Sequence, residues 1–146
     1  MSLSFRKMAV VFMPFAIAFV LAMAPPPQAH AQDGSTLRGL VEGQMSAFRS
    51  GDADAAWSYA APGIKRMFQT PDRFIAMVRK GYAPVYAPRG VSFGELRTGA
   101  RGPELDVFVT GPAGRDWLAV YSFEKQPDGS WKISGCRLVP GKGASV

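Results

Sequence analysis

The hydrophobic period of this chain changes near residue 82, and that change constrains the fold more than any other feature. Before it, apolar residues recur at the three- and four-residue steps of amphipathic helices. After it, turn signals separate four runs rich in β-branched and aromatic residues: VSFGELR, ELDVFVT, DWLAVYSFE and SWKISGCRLV. This order predicts an α+β fold in which N-terminal helices pack on one face of a curved antiparallel sheet.

Local signals predict where the helices begin and end. Ser35 or Thr36 is the expected cap of the first helix, and Gly51 its stop. Asp52 is the expected cap of a short second helix, and a third helical turn follows the Pro62-Gly63 pair. The apolar stripe of the first helix comprises Leu37, Leu40, Val41, Met45 and Phe48.

A further helix is predicted to begin after Thr70, whose side chain can accept an orphan amide hydrogen bond, and to end at Gly81. The segment 82–88 that follows contains two prolines, which predict an extended piece that protects a sheet edge from pairing with another chain. Tyr82 and Tyr86 lie in this segment, between the predicted helices and the predicted sheet. A ligand role for these two tyrosines therefore stays open.

The last hairpin predicts a strand register. With Gly129 in the left-handed conformation of a three-residue loop, Lys125 faces Trp131, Phe123 faces Ile133, and Tyr121 faces Gly135. One sheet face would then carry Trp117, Ala119, Tyr121, Phe123, Trp131 and Ile133, with Arg137 in line, and the other would carry Leu118, Val120, Cys136 and Leu138. Both faces are apolar, so the helices must cover one, which we expect to be the aromatic face. Strand curvature, the stretch 82–86 or a second subunit must cover the other.

The N-terminus has the parts of a secretory signal peptide. An apolar run from Met8 to Ala24 follows two cations and precedes a small-residue cleavage site, which places cleavage after Ala31. The alternative is an uncleaved anchor, because the run is near the lower limit of about 17 residues for a bilayer span. Cleavage predicts a periplasmic or secreted protein that meets the membrane only through its signal. A single α+β domain would then occupy residues 32–140, followed by a flexible tail at 141–146.

Composition excludes several reaction classes. The only histidine, His30, leaves with the signal, and Cys136 is the only cysteine. The mature chain therefore has no Ser-His-Asp or Cys-His apparatus and no ordinary zinc site, and we predict neither a metal nor a cofactor. The predicted position of Cys136 among aliphatic residues indicates an inert buried thiol, with an intermolecular disulfide as the alternative. The cations are scattered rather than clustered, which argues against nucleic-acid binding.

Three stretches carry a family resemblance: WSYAAPGIKRMF, FIAMVRKGYAPVY and WLAVYSFEKQPDGSWKISGCRLV. In order and spacing they resemble the small exported bacterial proteins grouped as domain of unknown function 4864, over about residues 36–139. Helices before a meander ending in DGSWKI are also similar to the nuclear transport factor 2-like superfamily, a cystatin-like cone in which helices close over a curved sheet. That resemblance implies a pocket inside the cone and names no ligand. No stretch matches the catalytic motifs of the superfamily's enzymes.

Three functions remain open. The leading prediction is a non-enzymatic exported binding or accessory module for a small apolar or anionic ligand. The first alternative is a homodimeric interaction protein that uses the second apolar sheet face. The second is a small isomerase- or cyclase-type enzyme with Asp106 as its base and a tyrosine hydroxyl as its oxyanion donor. The candidate ligand-binding residues are Tyr82, Tyr86, Trp117, Tyr121, Trp131 and Arg137.

Overall fold

The computed structural model of the protein describes residues 27–142, and their side chains from residue 33 onward. Within this part of the chain, helices precede a sheet of strand order β1-β2-β3-β4 in which all neighbours are antiparallel. The elements are α1 (Pro27–Ser50), α2 (Ala53–Ser58), α3 (Pro62–Phe68), α4 (Pro71–Gly81), α5 (Ala83–Tyr86), β1 (Gly90–Gly99), β2 (Gly102–Thr110), β3 (Asp116–Lys125) and β4 (Trp131–Pro140). The predicted α+β architecture is confirmed.

Most of the predicted signal peptide, residues 1–31, and most of the predicted tail, residues 141–146, cannot be compared with the structure. Residues 1–26 and 143–146 lie outside the described residues. Among the described helices, none is long and apolar enough to span a bilayer.

The beginning of α1 corrects one prediction. Ser35 and Thr36 lie inside the helix and not at its cap, because α1 already begins at Pro27. Proline suits a first helical position, and no later proline interrupts the chain before Ser50. The predicted stop at Gly51 is confirmed, since this glycine adopts the left-handed φ of 69° and its amide bonds back to the carbonyl of Phe48 at 3.1 Å.

The two predicted caps that follow are confirmed by their hydrogen bonds. The Asp52 carboxylate accepts a bond from the amide of Ala55 at 2.9 Å, which begins α2. The Thr70 hydroxyl accepts one from the amide of Arg73 at 3.3 Å, which begins α4. Both helix starts thus follow from side chains adjacent to them in sequence.

The predicted extended segment after α4 is wrong, because residues 83–86 form the helical turn α5. Pro84 stands in the first turn, where its missing N–H is not needed. The amide of Tyr86 donates to the carbonyl of Tyr82 at 3.0 Å, and Val85 becomes buried against α1 and α4. This segment therefore packs in the core instead of lying along a sheet edge.

A different segment covers part of the β4 edge. The amide of Ile133 donates to the carbonyl of Tyr59, and the amide of Ala61 donates to the carbonyl of Ile133, both at 2.8 Å. Ala60 forms a parallel bridge with Ile133 between these two bonds. The chain just after α2 thus satisfies the β4 backbone where α2 and α3 meet the sheet.

The β3–β4 register is as predicted near the turn and shifts beyond it. Phe123 faces Ile133 as expected, but Tyr121 faces Cys136 instead of Gly135. An extra residue in β4 forms a bulge at Ser134, after which the side chains of this strand point to the opposite faces from those predicted.

This shift changes the composition of the two sheet faces. We call the side beneath the helices the core face and the opposite side the outer face. Cys136 and Leu138 pair with residues of the core face, whereas Arg137 pairs with Val120 on the outer face. The predicted placement of Arg137 on the aromatic face is therefore wrong, as is that of Cys136 on the aliphatic face.

The core lies between the helices and the core face of the sheet, as predicted. Its α1 side is supplied by the apolar stripe of that helix, which is buried at Leu37, Val41, Met45 and Phe48. The sheet contributes alternate residues of β2 and β3, which are buried at Leu105, Val107, Val109, Ala119, Tyr121 and Phe123. Alternation on these strands follows from the two-residue repeat of a pleated strand.

Candidate functional site

A cavity of about 250 Å³ opens between the helices and the core face near the β4 bulge. Its lining is mostly apolar and comprises Gln44, Phe48, Ile64, Met67, Phe68, Phe74, Met77, Val78, Tyr82, Val85, Tyr121, Ile133, Ser134, Gly135 and Cys136. Met67 is 73% exposed and marks the side of the cavity that faces solvent. The cavity therefore has an apolar interior and one accessible wall.

Aromatic rings pack into one side of the cavity. The ring of Phe74 lies 6.0 Å from that of Phe48 and 5.8 Å from that of Phe68, measured between centroids. It also lies 5.7 Å from Trp57, which backs this wall from outside the lining. Tilted aromatic contacts of this kind give the wall a fixed shape.

The structure brings only two of the six predicted ligand residues, Tyr82 and Tyr121, into the cavity lining. Trp117 and Trp131 instead lie beneath surface cations, with Arg115 at 5.1 Å and Lys125 at 5.5 Å from their ring centroids. These tryptophans pack at the margin of the core, where their rings are half-buried.

The other two predicted ligand residues also point elsewhere. The Tyr86 hydroxyl accepts a hydrogen bond from the Nε of Arg79 at 3.1 Å, and its ring packs 5.9 Å from that of Phe48. Arg137 lies exposed on the outer face, across the sheet from the cavity. Its charge is therefore not available to a ligand in the cavity.

Asp106, the predicted weak candidate for a general base, is also on the outer face. It pairs with Val120 in the β2–β3 ladder, and its carboxylate forms an ion pair with the guanidinium of Arg97 at 2.5 Å. Glu104 is the second carboxylate beside that guanidinium, at 3.5 Å. The interaction with Asp106 raises the pKa of Arg97. Asp106 thus belongs to a charge cluster separated from the cavity by the sheet.

Tyr121 is the most deeply buried polar side chain of the cavity lining. The residue is 1% exposed, and its hydroxyl makes no hydrogen bond with the described residues. Burial raises the pKa of the Tyr121 hydroxyl well above its usual value, so it remains protonated near neutral pH. A buried hydroxyl without a partner is a rare feature that calls for an explanation.

Cys136 faces Tyr121 across the β3–β4 ladder and also lines the cavity. Burial raises the pKa of its thiol to about 12, and the nearby Tyr121 hydroxyl and Arg137 charge only partly offset that effect. The group is a neutral thiol near neutral pH, which agrees with the predicted inertness. Its neighbours, however, are those of the core face and not the predicted aliphatic set.

Gln44 is a cavity residue that the sequence analysis did not identify. It is 3% exposed, and its amide nitrogen donates to the carbonyl of Ala56 at 3.2 Å, which joins α1 to α2. The sequence pattern that could have revealed it is a polar residue within an apolar helical stripe. Position 44 stands three residues after Val41 and four before Phe48. Ser134 and Gly135 were also missed, because they enter the lining through the β4 bulge.

The lining defines what this site can do chemically. Its polar side chains are those of Gln44, Tyr82, Tyr121, Ser134 and Cys136, and none of the lining residues carries a formal charge. In the part of the chain that the structure describes, no cluster of histidine, cysteine and carboxylate residues could hold a metal ion. The site is thus an uncharged and mostly apolar cavity.

Comparison with known proteins gives one match. A family model described as domain of unknown function (DUF4864) matches residues 30–146. No curated protein and no solved structure matches the chain.

Proposed function

This chain belongs to the family described as domain of unknown function (DUF4864), and from the geometry of its cavity we propose that it binds a small, uncharged, mostly apolar molecule. The observation that carries the proposal is an apolar cavity of about 250 Å³ whose lining holds no charged residue. We further propose, from the signal-like N-terminus, that it works outside the cytoplasm as a non-enzymatic binding or accessory module.

The absence of charge in the lining separates the two ligand classes predicted from the sequence. An anionic ligand in this cavity would lose its hydration without gaining a cationic partner, because Arg79 and Arg137 both lie outside the lining. Burial of an unpaired charge is far more costly than burial of a neutral apolar group. The proposal is therefore confined to uncharged ligands.

The size and lining of the cavity favour a compact ligand. Its volume of about 250 Å³ is just below the usual range of about 300–1,000 Å³ for small-molecule sites. Met67 and Met77 contribute flexible thioether side chains, which adjust their shape to different apolar partners. A ligand with a single ring fits this description better than a long-chain lipid does.

The methionines allow a direct test of this proposal. Met67 and Met77 line the cavity, whereas Met45 is 2% exposed in the core outside the lining. With isotope-labelled methionine methyl groups, we expect α-methylstyrene to shift the NMR signals of Met67 and Met77 along saturable curves. The signal of Met45 serves as the internal control and should move much less. A titration that does not saturate, or that leaves Met77 unmoved, would contradict the proposal.

Native mass spectrometry of the purified protein complements the titration. We expect a bound neutral molecule of low mass to be released on denaturation, because an apolar cavity retains apolar molecules from its surroundings. Its identity would give the ligand class directly.

The outer face supports a second candidate function, which is formation of a homodimer. Phe108, Leu118 and Val139 form one row across β2, β3 and β4 on this face. Phe108 is 52% exposed, which is unusual for a phenylalanine beside other apolar residues. Opposite charges flank the row, since Asp106 and Arg137 both pair with Val120 on the same face. A second copy related by a twofold axis would cover the apolar row, while Asp106 keeps its ion pair with Arg97.

Sedimentation velocity at high micromolar concentration tests the homodimer. We expect a reversible dimer that Phe108→Glu converts to a monomer, because the substitution would place two buried carboxylates in a self-paired face. Met67→Glu is the matched control, since this methionine is also exposed but lies at the cavity. A wild-type protein that stays monomeric throughout would exclude this candidate and leave the ligand proposal intact.

The enzyme alternative has less support. None of the cavity-lining residues is a carboxylate or a histidine, and Asp106 lies across the sheet in an ion pair. General acid–base catalysis requires the base within hydrogen-bonding reach of the substrate. The proposed module is accordingly a binding protein.

A further inference from the structure

Tyr121 reaches the cavity from β3, and its hydroxyl is the polar atom of the lining that is both fully buried and unpaired. The rest of the side chain is held in the core cluster, with the residue only 1% exposed. Its position is therefore fixed by packing and not by a hydrogen bond. A donor held in this way is already oriented before any ligand arrives.

The protonation states of Tyr121 and Cys136 determine which kind of hydrogen-bond partner the Tyr121 hydroxyl lacks. Burial keeps Tyr121 protonated, and it likewise keeps the facing Cys136 as a neutral thiol with a pKa of about 12. Sulfur in a thiol is a weak acceptor, so Cys136 does not satisfy the hydroxyl. The hydroxyl is thus a hydrogen-bond donor without a strong acceptor in the protein.

Gln44 adds an acceptor to the same cavity. Its amide nitrogen must point toward Ala56, because the carbonyl of that residue can only accept. The side-chain oxygen of Gln44 takes no part in this bond. The Tyr121 hydroxyl and the Gln44 oxygen thus give the cavity a buried donor and an acceptor, beside the hydroxyls of Tyr82 and Ser134.

We propose that Tyr121 is the polar anchor of the cavity and that its hydroxyl donates a hydrogen bond to a carbonyl-type oxygen on an uncharged, mostly apolar ligand. This inference rests on the proposed binding function and specifies its ligand class. An aromatic ketone or ester of one ring has the required parts. A pure hydrocarbon would leave the hydroxyl unpaired, and a carboxylate would lack a cation.

Three planar probes of nearly equal size separate these classes: acetophenone, its hydrocarbon isostere α-methylstyrene, and benzoate. Dissociation constants can be measured for each by the methionine-methyl NMR titration. We expect acetophenone to bind about tenfold more tightly than α-methylstyrene, because only the ketone pairs the hydroxyl. Benzoate should bind more weakly than both at neutral pH.

Two variants test whether Tyr121 causes the preference. Tyr121→Phe should abolish the difference between the ketone and the hydrocarbon, because it removes the donor hydroxyl and keeps the ring. It should fold about as stably, because the replaced hydroxyl has only the weak interaction with the Cys136 thiol to lose. Tyr59→Phe removes a hydroxyl outside the lining and should retain the full preference.

The outcomes distinguish failure of the anchor from failure of the binding function. If α-methylstyrene and acetophenone bind equally to wild type, the anchor is overturned and the binding proposal stands. The anchor is also overturned if Tyr121→Phe keeps the ketone preference, or if an ordered water bridging Tyr121 and Gln44 persists beside bound acetophenone in a crystal structure. If neither neutral probe binds, both proposals fail.

Discussion

Replacement of Phe48 by alanine is expected to lower the free energy of unfolding by about 3–5 kcal/mol. Phe48 is 2% exposed, and its ring packs 6.0 Å from that of Phe74 and 5.9 Å from that of Tyr86. It also lines the cavity, so its removal enlarges an opening that already exists, and the rigid walls cannot close over the new space. The effect should therefore lie in the upper part of that range.

Urea denaturation of a matched pair measures this effect. Phe108→Ala removes the same atoms from the outer face, where the residue is 52% exposed, and should change the free energy of unfolding by less than about 1 kcal/mol. A comparable loss in both variants would mean that Phe48 is not part of a packed core.

Filling the cavity is expected to weaken the binding of a probe strongly. Val78→Phe places a ring in the space beneath α4, because Val78 is 5% exposed and lines the cavity. A bound probe would lose roughly 100 Å² of apolar contact area, which corresponds to about 2.5 kcal/mol and a nearly hundredfold weaker dissociation constant. The affinity for α-methylstyrene, measured by NMR titration, should fall by that factor or more.

Val139→Phe is the control for this experiment. It adds the same ring on the outer face, where Val139 pairs with Leu118, and should leave probe affinity unchanged. Thermal unfolding of both variants shows whether the fold is retained, since overpacking alone costs about 1–3 kcal/mol. If folded Val78→Phe binds the probe as tightly as wild type does, the probe occupies another site.

The parts of the fold that the sequence predicted correctly depend on residues close together along the chain. Asp52 and Thr70 each accept a hydrogen bond from the amide three residues further along the chain. Gly129 adopts the left-handed conformation in the turn that joins β3 to β4. Each of these interactions involves residues within a few positions of one another. The local sequence is therefore enough to predict it without the rest of the structure.

The register error shows how a single residue limits such reasoning. The predicted β3–β4 pairing is correct between the turn and Ile133. From Cys136 onward each side chain of β4 lies on the sheet face opposite to the predicted one, because Ser134 forms a bulge. A glycine inside a strand often marks a bulge, and Gly135 provided that signal. The position of the bulge depends on which β4 side chains pack against the helices. Cys136 and Leu138 do so, and this contact between distant parts of the chain is not visible in the local sequence.

The site was only partly predictable for a related reason. Tyr121 was identified because it stands on an aromatic strand face. Trp117 and Trp131 are also aromatic, but they are only partly buried and lie outside the cavity lining. Arg137 was misplaced by the register shift. Gln44 could have been found as a polar interruption of the α1 stripe, but its role depends on the carbonyl of Ala56. Burial and pairing, which distinguish these residues, are properties of the assembled structure.

The contact between Tyr59–Ala61 and Ile133 has a consequence for the timing of folding. These residues are separated by more than seventy positions, so the contact can form only after nearly all of the chain has been synthesised. Until then the segment 59–61 has no strand to pair with. The cavity wall that includes residues 133–136 is the last to be added.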